Sequence, residues 1–377
     1  MSSTITPDRL YPVQEQRLIP DTLVRLRDKY PIIRSLPDDW EKVRRLVAQG
    51  KEKEAEELIQ ARIAASPRLL IRNRVAVRHR ILRREFLAYQ RDLEKNIQSE
   101  LIKLSDRIEK MLVNNADSDG LVGLAKLNGI LDRLKTYNTE AWKVILILIK
   151  QGIRRSVQYG IDVTMKSAQQ GIDDAEAAAK ESDLKPVSAV IVFFSEAKKA
   201  VLSRTDIVYQ TIFTRVQKAR LKTGLFRKQS GTGLTISRRV WDVRDGHLTR
   251  MRRTIAAGIG NGRPATAIAK DVKGMTTIGQ LSKAELLQVR PGSGVYKSAY
   301  KNALRLIRSE TNQAYQEAEI EYAKAKGFKK MWNRSTGSNS PDVCDDLNGK
   351  IFDAEDVPPL PHPNCACFLT TVLPEIG

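Results

Sequence analysis

The segment "YKNALRLIRSETNQAYQEAEIEYAKAKGFKKMWNR", Tyr300 to Arg334, decides the fold class, because the hydrophobic period of the chain changes inside it. Tyr300, Leu304, Ile307, Thr311, Ala314, Ala318 and Tyr322 recur every three or four residues and mark one face of a long helix. Gly327 stops that helix, as glycine does where the chain must turn left-handed. Beyond it, "FKKMWNR", "GKIFD" and "CFLTTVL" are short runs with strand-forming residues, separated by turn chemistry. The tail therefore reads as a small α+β unit with a short antiparallel sheet behind helices.

Upstream the text is helical. Residues 1–37 are punctuated by Pro7, Pro12, Pro20, Pro31 and Pro37 and are expected to form an extended arm. "PDDWEKVRRLVAQG" predicts a helix capped by Asp38 or Asp39 and ended at Gly50. A second helix follows and closes before Pro67. A long one runs from Leu69 to about Asn114, "NNADSDG" is a turn, and helical text resumes from Leu121 to about Leu221. Gly152, Gly160, Gly171 and Pro186 are its expected break points. "KTGLFRKQSGTGLTIS", residues 222–237, is the clearest linker. The expected organisation is thus mainly α: an arm at 1–37, a helical domain at 38–221, the linker at 222–237, and a C-terminal domain at 238–377. That last domain divides into helices at 238–327 and a β-containing Cys/His tail at 328–377. Within it, "SKAE" at Ser282 to Glu285 is a capping box. "GIGNG" at Gly258 to Gly262 reads as a joint between helices, since no strand precedes it and no Gly-Lys-Ser/Thr follows.

Composition narrows function. The chain has 377 residues with 64 Lys and Arg against 44 Asp and Glu, a formal charge of +20, which attracts polyanions. The charge is grouped. Arg68, Arg72, Arg74, Arg78, Arg80, Arg83 and Arg84 fall in a stretch without an acid. A second basic region includes Arg238, Arg239, Arg250, Arg252 and Arg253. These are candidate phosphate contacts; the competing reading is a set of solvated helix faces. No charged start followed by an apolar run opens the chain, so no secretory leader is expected. The longest apolar run, Val144 to Ile149, is far too short to span a bilayer. The expected setting is a cytoplasm, with no membrane.

All three cysteines lie near the end, at Cys344, Cys365 and Cys367, with His362 between them. Four borderline-to-soft ligands in the order Cys-x17-His-x2-Cys-x-Cys can close a tetrahedral zinc site, and a tail with little apolar mass gains stability from one. Two other readings stay open: reduced, packed thiols with His362 as a hydrogen-bonding residue, and a disulfide from Cys344 to Cys365 or Cys367. His79 and His247 are expected at the surface. A metal-dependent nuclease using Asp342, Asp345, Asp346 and His362 is the enzymatic alternative, although paired Asp residues in "DVCDD" have turn character.

These residues also carry a family resemblance. An Arg-Ser-Glu helix (Arg308, Ser309, Glu310), Trp332, a Cys-x2-Leu-x-Gly turn (Cys344, Leu347, Gly349) and Pro-x-His-Pro-x-Cys-x-Cys (from Pro359 or Pro361 through His362, Cys365 and Cys367) resemble the C-terminal domain of phage minor head proteins, the Mu F-like or head morphogenesis family. "RRTIAAGIGNGRPATAIAKDV" is similar to the helix pair that precedes this domain. The resemblance covers about Arg238 to Leu373. It implies a minor capsid protein without enzymatic activity. It further implies association with the portal protein, the major capsid protein and, during assembly, scaffold, with packaged double-stranded DNA as a non-specific contact. The implied location is the phage head, reached from the host cytoplasm. A toxin-like effector is the third reading, and the absence of a further catalytic domain after Gly377 counts against it. Where relatives often carry Cys-x2-Cys, this chain has Pro341 and Cys344, so a metal here would use Cys344, His362, Cys365 and Cys367.

Overall fold

The computed structural model describes residues 21–30, 33, 36–64, 66–181, 194–199, 201, 205–219, 236–276, 299–333, 342–361, 365 and 367–373. The expected linker at 222–237 falls outside them except for its last two residues, and the capping box at Ser282 falls wholly outside.

Two helices dominate. α4 (Pro67–Asn114) and α5 (Leu127–Glu181) run 48 and 55 residues, or about 70 and 80 Å at the helical rise. They are antiparallel: Arg107 meets Glu140 near the turn, and Arg78 meets Asp174 far from it. Three shorter helices precede them: α1 (Asp21–Lys29), α2 (Pro37–Ala48) and α3 (Glu52–Ala64). Part of the expected extended arm is therefore helical. Leu23 and Leu26 of α1 pack with Val43 and Ile59, and this apolar contact outweighs the flanking prolines. In α2, Leu36 takes the cap position and makes no side-chain cap, while Asp38 and Asp39 sit in the first turn. There they still oppose the helix dipole favourably. Gly50 ends the segment at φ +75°, as expected.

The chain then continues through α6 (Thr205–Lys218), α7 (Ile236–Gly260), α8 (Ala265–Thr276) and α9 (Ala299–Lys326). It ends with β1 (Lys329–Asn333), α10 (Asp342–Leu347), β2 (Ile351–Asp353) and β3 (Phe368–Val372). The three strands form an antiparallel sheet in the order β2-β1-β3, with Lys330 opposite both Phe352 and Thr371. The fold is thus mainly helical with a small sheet near its C-terminal end. "DVCDD", read as a turn, is the short helix α10.

α9 lies in the groove between α4 and α5, and glycines make room for it. Gly152, Gly160 and Gly171 do not break α5. A Cβ at Gly160 would stand 2.3 Å from the Tyr315 carbonyl oxygen, and one at Gly152 would meet Leu93 at 2.4 Å. At Gly171 the obstacle is the Val75 backbone, 2.5 Å away. Close helix approach, not chain reversal, is what these positions require. One apolar cluster joins α4, α5, α7, α8 and α9, so the chain on either side of residues 222–237 shares a core. A second cluster places α1, α2 and α3 against Met331 and Val372 of the sheet.

Gly160→Ala is expected to destabilise the protein by about 1–3 kcal/mol, the usual cost of overpacking. Gly129 on the same helix has nothing within 4 Å of its would-be Cβ. Gly129→Ala should therefore be neutral or stabilising by at most about 1 kcal/mol. Thermal unfolding followed by circular dichroism of the two variants separates the packing effect from helix propensity.

Candidate functional site

α9 carries an unusual buried face. Ser309, Glu310, Thr311, Asn312, Gln313, Gln316 and Glu319 are all buried, although their composition reads as a solvated helix. Buried polar groups need partners, and the C-terminal strap supplies some of them. The Asn312 amide donates to the Cys365 carbonyl at 2.7 Å, and the Gln316 amide donates to the Cys367 carbonyl at 3.0 Å. Spacing of four residues puts both amides on one helix face, and spacing of two puts both carbonyls on one strand edge. Two side-chain bonds thus fix the Cys-x-Cys peptide against the helix. Thr311 faces the hairpin instead and accepts from Gln90 of α4 at 2.7 Å. Arg308 forms a bidentate pair with Glu94, at 2.6 and 2.8 Å, so its partner is between helices.

Cys344 comes from α10. Gly349, at φ +83°, ends that turn and its N–H donates to the Trp332 carbonyl at 2.8 Å, tying α10 to β1. The Cys344 sulfur lies 4.0 Å from that of Cys365. All three thiol sulfurs lie within 4.8 Å of one another and are buried. They are free thiols, so the disulfide reading does not hold here. Tetrahedral zinc with Zn–S of about 2.3 Å sets sulfurs about 3.8 Å apart, and the observed spacing fits that geometry. A hydrogen bond with Cys367, followed by burial, pushes the Cys365 thiol far above its ordinary value. Without a cation the Cys365 thiol therefore stays protonated. Trp332, Leu360 and Leu369 close the apolar shell around it. His362 lies outside the described residues. Among the described residues, no carboxylate joins the sulfur cluster, so Asp345 and Asp346 form no metal site with it.

Next to the thiols sits a buried charged cluster. His79, Arg83, Glu319 and Lys330 are essentially inaccessible. Both histidines were expected at the surface, and the structure corrects this. His79 Nε2 is 3.2 Å from Glu319 Oε1, and its ring stacks on Phe368. Burial, with Lys330, Arg83 and Arg80 nearby, holds it well below its ordinary value, so the contact is a hydrogen bond from neutral imidazole rather than an ion pair. His247 packs beside Trp142 and Thr276, and burial with Arg250 pulls it down to about 3. Lys330 Nζ donates to Thr164 and Thr371, each at 3.2 Å, linking α5 to β3. Burial lowers Lys330 to about 8 and raises Glu319 to about 7.

The expected phosphate contacts separate. Arg83 is buried, because it follows His79 by one turn on the inward face of α4, and its guanidinium lies 4.5 Å from the Phe368 ring centroid. Arg80 also faces that ring, at 5.9 Å. Arg78 is held by Asp174. Arg72 and Arg250 are half-buried, while Arg68, Arg74, Arg84, Arg252 and Arg253 are exposed. The side chains of Arg238 and Arg239 lie outside the description. The run of seven is therefore not one phosphate-facing surface.

Residues 249–370, about a third of the chain, match the family model described as phage Mu protein F like protein, so this part of the chain is similar to that family. The matched region takes in the second half of α7, then α8, α9, the thiols and most of the sheet. No curated protein matches the chain, and no solved structure does.

Two measurements check this site. Removing both amide clasps in Asn312→Ala/Gln316→Ala should free the strap and raise the rate of thiol modification of the native protein at least about tenfold, by local opening. The pH prediction follows from Glu319, whose folded value of about 7 exceeds the ordinary 4.5. Its folded form binds more protons between those values, so its contribution to stability falls as pH rises through that window. Lys330, lowered from 10.5 to about 8, acts oppositely and restores stability from pH 8 upward. In Glu319→Gln the decline between pH 4.5 and 7 should flatten in thermal unfolding curves.

Proposed function

We propose that this protein is a non-enzymatic minor component of the phage head that joins the portal protein and the major capsid protein, with scaffold, during head assembly. The match of residues 249–370 to the Mu F-like family carries this reading. Among the described residues no helix is long and apolar enough to cross a membrane. That agrees with a virion role reached from the host cytoplasm. The long α4–α5 hairpin supplies an extended surface for portal or coat contacts. The compact sheet and strap act as the module that anchors it. The three sulfurs, with His362 as fourth ligand, hold a structural zinc ion in this reading, supported by their spacing and burial.

Packaged DNA is the polyanion that the +20 charge meets in a filled head. The exposed Arg74, Arg84, Arg252 and Arg253 make phosphate contacts that carry no base specificity. Each such contact contributes about −0.9 to the slope of log affinity against log salt.

Co-expression with the portal and coat proteins of the same phage tests the assembly role. The expected result is co-sedimentation with portal-containing particles. Free chain with normal heads formed in its absence would reject the reading. For DNA, Arg252→Ala/Arg253→Ala should lower affinity for unrelated duplexes equally and flatten the salt slope by about 2, measured by fluorescence anisotropy.

A further inference from the structure

The outward face of α5 changes character along its length. At Gln158 and Asp162 it bonds to Tyr209 of α6, so a helix of the same chain covers it there. Toward the hairpin turn the same face is open. Lys143, Ile147, Lys150 and Arg154 follow one another at spacings of four, three and four. That puts them on one line along the helix, about 17 Å long. Val144 adjoins the line. Ile147 is 55% exposed and Val144 39%. We propose that residues 143–154 of α5 are a seat for an acidic amphipathic helix of another protein, continuing the place that α6 takes further along. The proposal deepens the assembly reading, in which the hairpin supplies a contact surface, and rests on it for the setting in which the partner is met.

Charge names the kind of partner. Between Ala141 and Ile161 the sequence holds four bases, Lys143, Lys150, Arg154 and Arg155, and no acid. Neighbouring cations are engaged: Arg155 donates to Gln158 and stands over the Tyr159 ring, and Arg107 pairs with Glu140. Lys143 and Arg154 are exposed and Lys150 is half-buried. Among the described residues, these three form no ion pair or hydrogen bond.

The exposed apolar groups choose between polyanions. Duplex phosphates would meet the cations but leave Ile147 and Val144 against a charged, hydrated surface. An amphipathic helix covers both and brings carboxylates to the cations beside them, as paired helices do with apolar seams and flanking charges. A lipid surface fits less well, because Trp142, Ile145 and Ile149 of α5 are committed to the core and leave too narrow an apolar face outside.

Full-length protein and a fluorescein-labelled synthetic peptide test the proposal. The probe is a capped helix of about three heptads, with leucine along its seam and glutamate beside it. Anisotropy should show binding that weakens with salt. Lys143→Glu/Arg154→Glu should lower the affinity at least about tenfold, and Ile147→Ser about three- to tenfold. A peptide with lysine in place of each glutamate should prefer the charge-reversed variant to wild type. If circular dichroism shows that the reversed variant does not fold, Lys143→Gln/Arg154→Gln replaces it, with an expected loss of at least about threefold. Equal binding of the acidic peptide to wild type and variants, or binding to neither, overturns the seat. So does a loss of affinity for a random-sequence duplex in the variant when the peptide does not bind, since the stripe is then a phosphate surface. Portal-containing particles that leave the chain free while the peptide results hold reject the assembly role alone.

Discussion

Two amide–carbonyl hydrogen bonds, from Asn312 and Gln316 of α9 to the strap at Cys365 and Cys367, are the contacts on which the C-terminal architecture depends. The Cys365 and Cys367 peptide carbonyls accept their bonds in the interior, where a carbonyl needs a donor. Hydrogen bonds in a dry interior gain strength from the low local dielectric, and breaking one leaves a buried group unsatisfied. The strap is therefore placed by polar contacts and only then sealed by Trp332, Leu360 and Leu369. Sulfur positions follow from that placement. So does the apolar surface of the sheet, which Met331 and Val372 turn toward the N-terminal helices.

The same helix explains how the two ends of the chain meet. α9 presents Thr311, Tyr315 and Glu319 to the hairpin and Asn312 and Gln316 to the strap. It is buried nearly all round, a position normally filled by apolar residues. Here polar residues take that place because each neighbour offers a matching group. Such matching fixes register: sliding α9 by one turn would strand the amides, the glutamate and the threonine together.

Much of this was legible in the chain. The 3.6-residue period located α4 and α9, and positive-φ turns at Gly50 and Gly327 lie where helix stops were expected. The three strands fall within the three β-rich runs. The three cysteines grouped near the end of the sequence come together in space. What escaped has a common cause. Gly152 and Gly160 read as breaks because local propensity is blind to a helix packed against them from far along the chain. Arg83, His79 and His247 read as surface residues because their partners lie on other elements. The α1 helix escaped because prolines flank it and the leucines that hold it face α2 and α3. Local rules describe what a segment prefers; burial depends on what arrives later.

That order of arrival has a temporal meaning. Gln90 and Thr311, which bond across the groove, are 221 residues apart in the chain. At roughly 5–20 residues per second, a ribosome takes about 10–45 s to travel between them. For the part of that interval after α5 is complete at Glu181, the nascent hairpin has its glycine-notched groove open, with the seat for α9 vacant and its apolar walls in water. A groove of this kind is an aggregation hazard until the final third of the chain has been made to fill it.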